Sequence, residues 1–156
     1  MSLESVRAFL AEHAPDITII ESPLSTATVR EAAAAHGVEP GRIAKTLSLR
    51  IRDRVVLLVA AGTARLDNQK AKAVFGGRPN LLGADEVAAL TGHPVGGVSP
   101  FGLTAPLPIY CDLSLKAFDE VWPAAGSVNS AVRIPPDRLA SLVGAEWVDA
   151  CRTGPA

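Results

Sequence analysis

Ile43-Ala44-Lys45-Thr46-Leu47-Ser48-Leu49-Arg50 alternates along its length, and its reading decides the fold. Ile43, Lys45, Leu47 and Leu49 fall on one side of an extended chain, with Ala44, Thr46, Ser48 and Arg50 on the other, which is the period of a β-strand. The turn Arg52-Asp53-Arg54 leads into Val55-Val56-Leu57-Leu58-Val59-Ala60-Ala61, whose unbroken apolar character predicts a strand buried on both faces. Together they predict a hairpin. Lys45 is the residue out of place, because the face it shares with Ile43, Leu47 and Leu49 should otherwise be apolar. A partly desolvated lysine needs an anionic or carbonyl partner, which a bound phosphate or ester would supply; a bulge in the alternation, or a side chain snorkelling to the edge, would also account for it.

Working outward from the hairpin, apolar Leu3, Val6, Phe9 and Leu10 predict a helix over residues 3–14, with Ser2 as N-cap and Pro15 closing it. Ile17 to Ile20 reads as a short strand. Thr28 and Glu31 have capping-box spacing ahead of an alanine run that ends at Gly37, although Ser25 or Thr26 could cap instead. Downstream, Asp67 can cap a helix over 68–75 ended by Gly76-Gly77, and Gly83 or Asp85 starts another that stops at Gly92. Leu107 to Asp112, Val121 to Ala124 and Ala131 to Ile134 read as strands, with a helical turn over Ser114 to Phe118. Pro135-Pro136 opens a helix to Val143, and Trp147 to Asp149 reads as a final strand. Strands and short helices mix without strict alternation, which predicts one α+β domain over residues 1–156: a curved, mixed, barrel-like sheet surrounded by short helices.

Between the fourth helix and the strand at 107 lies Val95-Gly96-Gly97-Val98-Ser99-Pro100-Phe101-Gly102-Leu103. Glycine permits close backbone approach and proline fixes φ, so this is a shaped loop exposing mainly backbone N–H and C=O groups. It is either a tight connection or an amide-lined wall for a carbonyl or phosphate oxygen. Of the three histidines, only His93 adjoins it.

The composition narrows the function classes. Hydrophobic residues make up 48% and charged residues 20%, which argues against extensive disorder, and only seven residues are aromatic, so the core must be mostly Ala, Val, Leu and Ile. Cys111 and Cys151 have neither a disulfide framework nor a metal-ligand spacing, and Cys111 beside Asp112 reads as a buried structural thiol. The N-terminus lacks the regions of a signal peptide and no apolar run approaches the length of a membrane span, so a cytoplasmic protein is expected. There is no GxSxG, HExxH, Walker or Rossmann pattern, and neither metal nor cofactor is implied. The net charge of −1 conceals a basic segment: residues 42–78 carry nine basic residues against Asp53 and Asp67. Such a segment is either an ordinary solvated face or a surface that steers a polyanion.

Arg42-Ile43-Ala44-Lys45-Thr46-Leu47, Thr91-Gly92, Gly96-Gly97-Val98-Ser99-Pro100-Phe101-Gly102-Leu103, Tyr110-Cys111-Asp112 and Ala125-Gly126-Ser127, in this order and spacing, resemble the YbaK/ProX family. Its members are aminoacyl-tRNA deacylases related to the editing domain of bacterial prolyl-tRNA synthetase, and the resemblance runs through about residues 25–150. It implies a free-standing editing enzyme that hydrolyses the ester of a mischarged tRNA, with the acceptor end of aminoacyl-tRNA, and a synthetase, as partners. Lys45 is similar to the family's essential lysine, placed to hold the terminal adenosine or its phosphate. Gly96 and Pro100 match the fixed positions of a GxxxP loop whose amides contact the aminoacyl carbonyl. The resemblance further places Thr46, Gly97, Val98, Ser99, Phe101, Asp112, Ala124, Gly126 and Asn129 against the substrate. No protein nucleophile is implied; a positioned water attacks, assisted by the substrate's own groups. Ala124 stands where the cysteinyl-clearing branch has a serine, while Thr46 and Asn129 stand at or near two positions that mark the alanyl-specific branch, so the amino acid stays open. The other reading is a non-catalytic module that binds tRNA ends, nucleotides or a synthetase through the same pocket.

Overall fold

The predicted hairpin forms the centre of the sheet in the computed structural model, which describes residues 2–153. In chain order the elements are α1 (Ser2–His13), β1 (Ile20–Glu21), α2 (Val29–His36), β2 (Ile43–Ile51), β3 (Arg54–Ala61), β4 (Arg65–Leu66), α3 (Asn68–Phe75), β5 (Pro79–Leu81) and α4 (Ala84–Thr91). They continue with β6 (Ile109–Asp112), β7 (Trp122–Pro123), β8 (Ser130–Ala131), α5 (Pro136–Val143), β9 (Glu146–Val148) and β10 (Cys151–Arg152). Short 3₁₀ turns at Pro40–Arg42 and Leu113–Ala117 lead into β2 and follow β6.

The main sheet runs β5-β2-β3-β6-β9, with β7 beside the start of β2. β2 is antiparallel to β3 and β5, whereas β6 is parallel to β3 and β9 is parallel to β6, so the sheet is mixed as expected. It is not closed into a barrel. β5 and β9, at the two ends of this path, are each three residues long and do not pair with one another. Two small antiparallel ribbons, β1 with β8 and β4 with β10, tie distant parts of the chain together.

The local signals act where the sequence places them. Thr28 Oγ1 accepts the backbone N–H of Glu31 at 3.1 Å, and Gly37 ends α2 in the left-handed region at φ 68°. Asp67 caps α3 by accepting from Lys70 N, and Gly92 ends α4. Val56 through Ala61 are all buried, as a strand covered on both faces requires. Where pairing partners decide, the sequence reading is off. The Ile17–Ile20 strand contracts to Ile20–Glu21, because only these residues meet β8. The Val121–Ala124 strand contracts to β7, and the Ala131–Ile134 strand shifts to β8; isolated bridges Val121–Ile134 and Ala124–Ala131 continue their approach.

One large core lies against the sheet, including Val6, Leu10, Leu49, Val56, Leu58, Phe101, Leu115, Ile134 and Leu139. A smaller cluster of Ala32, Ala33 and Ile43 seats α2 on the start of β2. No helix among the described residues is long and apolar enough to cross a membrane.

Candidate active site

Ala44 to Ser48 of β2 contribute to the lining of a cavity of about 250 Å³. Around it stand Thr26 to Val29, immediately before and at the start of α2; Leu81 at the end of β5, Leu82 just after it and Val87 of α4; Val95, Gly96 and Val98 from the glycine loop; and Ala124. The hairpin register pairs Lys45 with Ala60 and Leu47 with Leu58, so Lys45 lies in an apolar row of the sheet, as its alternation implies.

The Lys45 ammonium donates to the backbone carbonyls of Gly62, at 3.3 Å, and of Ala64, both in the turn between β3 and β4. Carbonyl partners therefore meet its need for hydrogen bonding. Desolvation pulls its pKa below the ordinary lysine range, and the nearby Arg65 charge acts in the same direction.

The loop is shaped by close packing. Gly96 adopts φ 90°, and a Cβ there would lie 2.9 Å from the Cβ of Ala27. A Cβ on Gly97 would lie 2.7 Å from the carbonyl carbon of Ser127, so backbone meets backbone at that point. The Gly97 N–H donates to Pro94 O at 2.9 Å, which removes it from the groups free to face a ligand. Pro100 is buried behind the wall rather than lining it.

The structure brings Lys45, Thr46, Gly96, Val98 and Ala124 together at the cavity. Gly97 and Ser99 shape the loop from behind; Ser99 is buried and its Oγ accepts from Phe101 N. Phe101 is a fully buried core residue whose ring lies tilted against that of Phe9, with centroids 5.7 Å apart. Asp112 is not among the lining residues. Its buried carboxylate accepts the N–H groups of Ala150 and Cys151 on Oδ1 and of Ser114 on Oδ2, which joins β10 and the following turn to β6. Gly126, at φ 94°, packs on the backbone of Ser2 and Leu3. Asn129 donates from Nδ2 to Ser22 O and accepts from Ser127 Oγ, so it stitches its turn to the segment leading to Thr26.

Sequence reasoning missed Thr26 to Val29 and the Leu81, Leu82 and Val87 group. Their residue types are ordinary; the one local signal was the Thr28 capping box, which fixes where the segment before α2 must turn. The Oγ1 atoms of both Thr26 and Thr46 are buried without a hydrogen-bond partner. Leu81 and Val95 are exposed although they line the cavity, giving it an apolar rim.

Among the described residues that line the cavity, none is Asp, Glu, His or Cys, and no group of three or more such residues could hold a metal. Burial, with the Asp112 carboxylate nearby, pushes the Cys111 and Cys151 thiols up to about 12, which suppresses their thiolates. The basic segment is partly neutralised: Arg42 pairs with Glu39 and Asp119, Arg50 with Glu86, and Lys70 with Asp149.

The chain is similar to known proteins over most of its length. A family described as the aminoacyl-tRNA editing domain matches residues 24–142. YwhH of Bacillus subtilis, an uncharacterized protein, is 44% identical over 154 residues, covering 97% of this chain and 98% of its own. A protein of Enterococcus faecalis named provisionally as the Cys-tRNA(Pro)/Cys-tRNA(Cys) deacylase EbsC is 29% identical over 131 residues, with 83% and 78% of the two chains covered. A crystal structure named provisionally as a trans-editing enzyme for prolyl-tRNA synthetase superposes with a TM-score of 0.89 at 36% identity over 97% of each chain. This chain belongs to the aminoacyl-tRNA editing domain family.

Proposed function

We propose that the protein is a trans-editing deacylase that hydrolyses the ester linking a wrong amino acid to tRNA, with tRNA-Pro species the leading candidates. The observation that carries this reading is the shared cavity of Lys45 and the Gly96–Val98 loop in a chain of the editing family. In this reading the aminoacyl group enters the cavity, the exposed Leu81 and Val95 receive the terminal base, and backbone amides of the loop face the ester carbonyl. Water attacks the carbonyl carbon. The new C–O bond forms first and moves the carbonyl electron pair onto oxygen as a tetrahedral oxyanion; collapse of that intermediate breaks the ester C–O bond, and the departing ribose oxygen receives a proton originating from that water. Lys45 supplies positive charge toward the developing oxyanion, and a preorganised donor of this kind is worth on the order of 100-fold or more in rate. Thr28 Oγ1 is engaged in the α2 cap, accepting from Glu31 N and donating to Glu31 Oε1; hydroxyls without a neighbouring base are weak nucleophiles, so Thr26, Thr46 and Ser48 bind rather than attack.

The test is a screen of the purified protein against tRNA-Pro charged with alanine, cysteine or serine, alongside other mischarged tRNAs. Turnover above the spontaneous rate on any of them supports the deacylase. Silence on all, together with measurable RNA binding, favours the non-catalytic module, for which the missing hydroxyl at Ala124 in the cavity wall is the motivation. Silence with no binding overturns both.

A further inference from the structure

His93 is a fully buried titratable residue close in sequence to the cavity, although it does not line it. Its Nε2 lies 2.8 Å from the carbonyl oxygen of Phe101. A carbonyl only accepts, so in the neutral ring Nε2 carries the hydrogen and Nδ1 presents a bare lone pair. That lone pair is buried with no partner. The ring therefore joins the residue two before the glycine loop to Phe101 near its end by a single hydrogen bond.

Both ends of this bond are themselves anchored. The His93 backbone N–H donates to Thr91 Oγ1 at 3.0 Å, and that hydroxyl, on the last residue of α4, donates to Val87 O one turn earlier. At the far end, Phe101 is locked in the core, and Ser5 Oγ of α1 donates to Gly102 O at 2.9 Å. The segment between them carries Val95, Gly96 and Val98 into the cavity, with Gly97 seated on the Ser127 backbone. Glycine-rich backbone has many accessible conformations, so a tie across its neck selects the one that fits this seat.

On the reading of the cavity given above, we infer that His93 is the positioning residue of the loop wall, holding the Gly96–Val98 backbone toward the ester carbonyl through its bond to Phe101 O. It touches no substrate. Its effect reaches the reaction through where the loop amides sit, and a misplacement of about 1 Å at a reacting group costs on the order of 100-fold.

Three variants separate this role from simple core filling. Gln can place its Nε2 donor where the imidazole Nε2 stands, Asn is too short, and Leu fills the space with no donor. The expected result is that His93→Gln retains most of kcat, whereas His93→Asn and His93→Leu lose on the order of 100-fold in kcat with KM little changed. Equal losses in all three, or a fully active His93→Leu, overturn the inference. A second readout needs no turnover: hydrogen exchange at the Gly97 amide, bonded to Pro94 O inside the loop, should accelerate in His93→Asn and remain slow in His93→Gln. Where a variant does not fold, nitrogen NMR of the wild-type imidazole decides. A neutral Nε2–H form supports the tie, and an Nδ1–H form excludes it. If the wild type hydrolyses no mischarged tRNA, the deacylase reading falls, while the exchange and NMR measurements still judge the tie.

Discussion

The ammonium of Lys45 donates to the Gly62 carbonyl at 3.3 Å, which couples the one charged residue in the apolar row of β2 to the turn that ends β3. The side chain is thus held in one geometry at the cavity before any ligand arrives. Lys45→Ala should lower deacylation by on the order of 100-fold or more while circular dichroism stays native. Single-turnover assays on a susceptible mischarged tRNA measure this, and wild-type-like hydrolysis by the variant would remove Lys45 from the mechanism.

The backbone contact between Gly97 and Ser127 leaves no room for a side chain. Gly97→Ala should destabilise the protein by about 1–3 kcal/mol, since neither backbone can yield easily. Urea unfolding reads the change, and an unaltered midpoint would mean that the two turns separate at little cost.

Thr46 buries a hydroxyl with no partner inside the protein. Thr46→Val removes that polar group at nearly constant shape, so stability should rise by about 1 kcal/mol while activity on the preferred aminoacyl group falls. A site residue that is better for function than for the fold gives this opposed pair of changes. Lower stability in the variant would show that the hydroxyl finds a partner in solution.

Asp112 is sequestered and accepts three backbone N–H groups. Asp112→Ala should cost about 3 kcal/mol or more, as two buried donors and a third half-buried one lose their acceptor at once. Thermal unfolding tests this directly. Near-native stability combined with lost activity would instead return Asp112 to the substrate.

Desolvation lowers the pKa values of His93 and His36, and for His93 the hydrogen bond to Phe101 only partly opposes it. Both rings therefore stay neutral in the fold through a range where the unfolded chain takes up protons. Their contribution is fully present above the ordinary histidine range, near 6.5 in model compounds, and is lost as pH falls from there through the lowered values. The Tm should decline on acidification through this window, and His93→Gln should flatten the decline. An identical profile in that variant would mean that His93 titrates normally.

Much of the fold is legible in local chemistry. The Thr28 and Asp67 caps, the left-handed glycines at 37, 76, 92 and 144, and the turn at Arg52-Asp53 each fix a boundary through bonds within a few residues. The short strands are different: β1, β4, β8 and β10 are two residues long and exist because a distant partner lies beside them. No periodicity can be expressed in two residues.

The same division runs through the site. The alternation of β2 makes Lys45 conspicuous, and the glycine and proline content of the loop announces a shaped backbone, so two sides of the cavity are written in the sequence itself. Tertiary structure alone decides that Thr26 to Val29 and Leu82 complete it, that Asp112 and Asn129 act as braces, and that His93 meets Phe101. The physical reason is range: caps, turns and strand period follow from bonds and sterics between near neighbours. The cavity and its braces depend on contacts that form only when segments far apart in the chain pack together.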